Sequence, residues 1–103
     1  MSAANPLRGE ACLPVAGRPY TLRPSFDALV RAEEELGPLF ALVEKAGDGQ
    51  LRLGEIAGLF WHCVQERGDL TREQVGQAVL AMGLAEAAKP LRALLGEILR
   101  GQG

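Results

Sequence analysis

Few residues in this chain suit bond-making chemistry. Its 103 residues include one histidine, His62, two cysteines, Cys12 and Cys63, and five aromatic side chains. One imidazole and no Cys-x-x-Cys pair leave a structural zinc site without ligands. The two thiols read as reduced and semi-buried, and a single disulfide between them stays open. Long apolar runs are missing too. The longest uncharged stretch, Gln74 to Ala85, is broken by Gly76 and Gly83. It falls well short of the roughly 20 apolar residues a bilayer requires. The first 25 residues carry Arg8, Glu10, Arg18 and Arg23 and no apolar run of the kind a secretion signal has. The expected location is the cytoplasm, with no membrane partner. Net basic charge is also lacking: the formal charge is −2, which argues against a nucleic-acid partner, whose footprint is a basic face. No Gly-rich phosphate loop and no Ser-His-Asp set is present, and no cofactor is expected.

What is there is a pattern of short amphipathic elements, enough for one core in one domain. Residues 1–7 read as a flexible N-terminus, and residues 8–100 as a single domain. Ala11, Leu13 and Val15 alternate with polar or prolyl neighbours, Ala16-Gly17 makes a turn, and Tyr20 and Leu22 alternate in turn. This predicts a β-hairpin over about 10–23. Pro14 and Pro19 cannot donate to a central ladder, so an edge should stay unpaired. Helices follow over about 25–100. Ser25 is an N-cap for a first helix with the stripe Phe26, Leu29, Val30, Glu33 and Leu36, stopped by Gly37. Pro38 opens a second, containing Leu39, Phe40, Leu42 and Val43 and ending at Gly47. A third carries Ile56, Leu59, Phe60, Cys63 and Val64 at helical spacing. Thr71 with Gln74 forms a capping box for a fourth, with the stripe Val75, Ala78, Val79 and Met82. The last bears Leu91, Leu94, Leu95, Ile98 and Leu99, with Pro90 at its start or kinking a longer helix from Leu84. The tail 101–103 should fray. The fold class is α+β, mostly α: a hairpin, then four or five short packed helices.

Several residues invite a chemical reading. Asp48-Gly49 with Glu55 fits part of a calcium loop, but that frame puts Glu44 in the first ligand position and Ala46 in the third. The competing reading is a turn followed by a Glu favouring a helix dipole. His62 has Glu66 one turn on and Glu55 two turns back, which suits a solvated histidine. Cys63 beside it points about 100° away along a helix, so a Cys-His nucleophile is not built. Residues 26–49 carry Asp27, Glu33, Glu34, Glu35, Glu44 and Asp48 against Arg31 and Lys45, a net −4. The run Glu33–Glu35 reads as a solvated face. Trp61 lies off the main stripe beside Ala57 and Gly58, as a groove filler or as a partner hot spot. Leu91, Leu95 and Leu99 have the same two readings, core or docking face.

The order of short motifs adds a resemblance. Asn5-Pro6, Arg8-Gly9-Glu10, Tyr20-Thr21-Leu22-Arg23-Pro24, Phe26-Asp27-Ala28-Leu29 and Glu35-Leu36-Gly37 come first. Leu53-Gly54-Glu55-Ile56 and Asp69-Leu70-Thr71 extend it. Over about residues 5–88 the chain resembles a bacterial gene-transfer-agent and phage protein family of tail-tube-associated proteins or tail assembly chaperones. The resemblance implies a non-enzymatic role in tail building, in a bacterial cytoplasm or in the particle tail. It implies phage-like tail proteins as partners, above all the tape-measure protein, with further copies of the chain as an option. Two short strands supply little sheet for closing a ring, which favours chaperone over tube component.

Overall fold

The computed structural model describes residues 10–100; the N-terminal segment 1–7 and the tail 101–103 lie outside the described residues. Strands β1 (Ala11–Val15) and β2 (Arg18–Leu22) form an antiparallel hairpin. Five helices follow among the described residues: α1 (Phe26–Leu36), α2 (Leu39–Gly47), α3 (Leu53–Cys63), α4 (Arg72–Met82) and α5 (Leu84–Arg100). The expected α+β, mostly α architecture is therefore observed.

The hairpin turn takes Ala16 at φ 50° and Gly17 at φ 81°. Two successive left-handed residues make the two-residue turn whose twist matches its strands. Its register pairs Val15 with Arg18 and Pro14 with Pro19. Because hydrogen-bonded and non-bonded pairs alternate outward from such a turn, the two prolines face each other at a non-bonded pair. Their missing donors point away from the ladder and cost it nothing. Alanine is poorly suited to the left-handed region, whereas asparagine tolerates it. Ala16→Asn is expected to raise stability by about 0.5–1 kcal/mol, seen as a higher Tm by calorimetry; an unchanged or lower Tm would contradict this reading of the turn.

Alternation puts Ala11, Leu13 and Val15 on the buried face of β1, with Cys12 and Pro14 exposed. That face packs on α4 and α5. Helix α3 is the central post: α1, α4 and β2 all pack against it. Ile56, Ala57, Gly58, Leu59, Phe60 and Cys63 are buried on it. A helix apolar over most of its circumference belongs in the interior, and Phe60 is fully buried at its middle.

Two expectations are corrected by packing. The third helix ends at Cys63 because Val64 turns to extended backbone and bridges Leu22 of β2. Arg23 N–H donates to the Cys63 carbonyl at 2.8 Å, and Gln65 N–H to the Thr21 carbonyl at 2.9 Å. A long-range strand contact thus overrides the helical period at Val64. In α1 the buried residues are Ala28 and Ala32, while Phe26 and Val30 of the expected stripe stand exposed. Small side chains let α1 lie close against α3, where Ala57 and Gly58 are also buried. The caps form as the sequence indicates. Ser25 Oγ accepts from Ala28 N–H at 3.2 Å, and Thr71 and Gln74 cap each other across the start of α4. Pro90 lies inside α5, so the longer of the two alternatives is realised.

Candidate interaction surface

Helix α2 is the outlier of the packing. It touches chiefly α1, and its one buried side chain, Leu42, lies apart from the main core cluster. The chain enters α2 by a cap supplied from α1: Leu39 N–H donates to Glu33 Oε2 at 3.1 Å. This places α2 across the end of α1 and beside the C-terminal turns of α5. Between them lies an apolar groove of about 270 Å³, walled by Glu33, Leu39, Phe40, Val43, Ile98 and Leu99. Phe40 is 78% exposed and Leu99 59%. Phe26, 84% exposed, and Val30 share the α1 face of Glu33, at spacings of four and three residues. Two of the chain's three phenylalanines therefore face water on this side.

The four residues singled out as partner contacts are not brought together. Leu91 and Leu95 are buried in the core cluster, where they hold α5 to the rest of the fold. Leu99 is exposed on the groove. Trp61 is half-buried against the core, with the Arg67 guanidinium 4.1 Å from its ring centre. That cation covers one face of the ring. Sequence reading missed Phe40 as a surface residue, because a short helix with apolar residues on more than one side does not show which of them faces out.

A second cluster ties the helices together. Glu35 of α1 receives Arg72 of α4 through both guanidinium nitrogens, with Nη1 to Oε1 at 2.7 Å and Nη2 to Oε2. His62 Nε2 of α3 lies 2.8 Å from the same Oε1. An ionised carboxylate only accepts, so His62 presents its Nε2–H. Arg72 reaches across α3 over Gly58, where a Cβ would stand 2.8 Å from Nη2. A side chain at this position would displace the mobile end of Arg72 from its place beside Glu35. These partners revise two expectations: Glu35 is not a merely solvated charge, and His62 pairs with α1 rather than with Glu66 or Glu55. Hydrogen bonds from Arg72, then His62, hold the Glu35 carboxyl down from 4.5 to about 2. A depressed carboxylate adds stability that is complete above its unfolded value near 4.5 and lost as pH falls toward about 2. Glu35 is 38% exposed, so screening keeps the contribution below about 1 kcal/mol. Glu35→Gln should therefore lower Tm slightly at neutral pH and shrink the loss of Tm between the two pH values. An identical acid profile in the two proteins would contradict the clamp.

The remaining candidates are engaged structurally. Glu55 accepts from Lys45 Nζ at 2.8 Å and from Arg52 N–H at 2.9 Å, so its carboxylate stitches α2 to the start of α3. Among the described residues no group of three or more His, Cys, Asp or Glu side chains is placed to hold a metal ion. Burial pushes the Cys63 thiol up to about 12, away from nucleophilic use. Both cysteines are free, Cys12 exposed and Cys63 buried. None of the described helices is long and apolar enough to cross a membrane.

Among the described residues the main surface features of this small, mostly helical domain are an open apolar groove and a clamp that joins three helices. The sequence matches the family described as phage tail tube protein, GTA-gp10, over residues 8–101, and the chain belongs to that family. It is thus a phage- and gene-transfer-agent-type tail protein, of a structural or assembly family rather than an enzyme family. Neither the curated proteins nor the solved structures provide a match.

Proposed function

We propose that the chain is a tail assembly chaperone that shields an amphipathic helix of the tape-measure protein until tube subunits assemble around it. The observation that carries this reading is the groove between α1, α2 and α5, with Phe40 and Leu99 exposed on its walls. An exposed apolar groove between helices suits a helix laid in by its apolar face. A long tape-measure chain presents such faces repeatedly. Many copies of a weak binder along one chain gain avidity without a large interface for each. The action takes place in the bacterial cytoplasm during assembly.

A second reading, a component built into the tail, is favoured by the family's description as a tube protein. Strand addition at the hairpin would be its physical basis. Here the hairpin offers little edge. Thr21 of β2 and Arg23 just after it already bond to Gln65 and Cys63, and Pro14 on β1 turns a position without a donor outward. Co-expression with the tape-measure protein of the same particle tests the first reading. A soluble complex is expected to co-purify. A tape measure equally soluble alone, with nothing bound, would contradict it.

A further inference from the structure

The groove has an acidic side. Glu33 walls it directly. Glu34 follows on α1, and Glu44 stands one turn beyond Phe40 on α2. The cations of these two helices are already occupied: Arg31 pairs with Asp27, and Lys45 with Glu55. Glu34 and Glu44 have no ion pair among the described residues, and Glu33 meets a backbone N–H, not a cation. The C-terminal turns of α1 and α5 bring partial negative charge to this end and the N-terminus of α2 partial positive charge, so the carboxylates set its sign. On the α5 side, Arg92 stands two turns before Leu99, and Arg100 folds its guanidinium back over Gly96. The α1–α2 wall is therefore negative beside an apolar floor.

Such a wall selects its occupant. A second copy laid on the same face would bring three more carboxylates and, from α5, only Arg92 and Arg100, so like charges would outnumber opposite ones. An anionic lipid surface is repelled for the same reason. From this we infer that the groove takes an amphipathic helix whose apolar stripe is bordered by Lys or Arg along the edge lying over α1 and α2. This names the chemistry of the partner segment in the function proposed above and rests on that reading for its biological setting, not for its binding chemistry. The apolar floor supplies affinity, and the charged border supplies register and choice of partner.

Two synthetic helical peptides with one shared Leu/Ala stripe, one bordered by Lys and one by Glu, provide the test with the full chain. Binding is read by fluorescence anisotropy at low and high salt. The Lys-bordered peptide is expected to bind about tenfold or more tightly than its Glu-bordered twin, with the gap closing as salt rises. The triple variant Glu33→Gln, Glu34→Gln and Glu44→Gln should lose that preference while keeping its Tm, since the amide oxygen introduced by Glu33→Gln can still accept from Leu39 N–H. Phe40→Asp should lose binding of both peptides. Equal binding of the two peptides, no binding of either, or undiminished binding by Phe40→Asp would each overturn the inference. So would sedimentation showing a dimer that Phe40→Asp dissolves, because a second copy would then fill the groove. If the Lys-bordered peptide binds but the tape-measure protein does not co-purify, the surface stands and the chaperone role falls. If the tape measure co-purifies while the peptides show no preference, the reverse holds.

Discussion

Phe60→Ala is expected to lower stability by roughly 3–5 kcal/mol. Phe60 has no exposed surface. It sits in the middle of α3, against which α1, α4 and β2 all pack. Truncation removes its transfer energy and leaves a cavity that three elements must share. They cannot collapse into it together, because α1 is already close-packed through Ala28 and Ala32 and Arg72 is already threaded over Gly58. Domains of this size have about 5–15 kcal/mol in all, so the variant should unfold more than about 12 °C lower. Calorimetry checks this. A drop of only a few degrees would mean that α3 is not the central post.

The second large effect concerns the partner rather than the fold. Phe40→Asp combined with Leu99→Asp should weaken retention of the tape-measure protein about a hundredfold, since each removes an exposed apolar contact of hot-spot type. Both side chains are mostly in water, so their loss takes little from the core. An aspartate in the first turn of α2 also suits the helix dipole. Thermal unfolding should therefore change by less than about 1 kcal/mol. Pull-down from co-expressing cells, paired with calorimetry of the same variant, separates the two effects. Undiminished capture by a folded double variant would move the docking face elsewhere on the molecule.

The difference between these two phenylalanines shows where sequence reading succeeds. Phe60 falls on a stripe with Ile56, Leu59 and Cys63, and the period alone places it inside. Ser25, Thr71 with Gln74, and Ala16-Gly17 carry local chemistry, so the boundaries they set are legible. Phe26 and Phe40 are not legible in this way. A short helix with apolar residues on several sides does not declare which side meets the core, and α1 turned its alanines inward because α3 offered small residues there. Val64 left its helix to pair with Leu22, and Glu35 met Arg72 from 37 residues away. Both depend on distant chain segments and leave no local trace. The groove depends on three helices meeting, so only its parts were visible: Leu99 as a docking candidate, and the acidic excess of residues 26–49 as a surface feature.

Whether the chain leaves the particle or stays in it separates an assembly chaperone from a tail component most directly. Quantitative mass spectrometry of purified mature particles, set against lysates of assembling cells, reads this in one experiment. A chaperone is abundant in the lysate and far below the tube subunit's stoichiometry in finished tails. Copies matching the tube subunit in those tails would contradict the chaperone assignment and make the chain a building block.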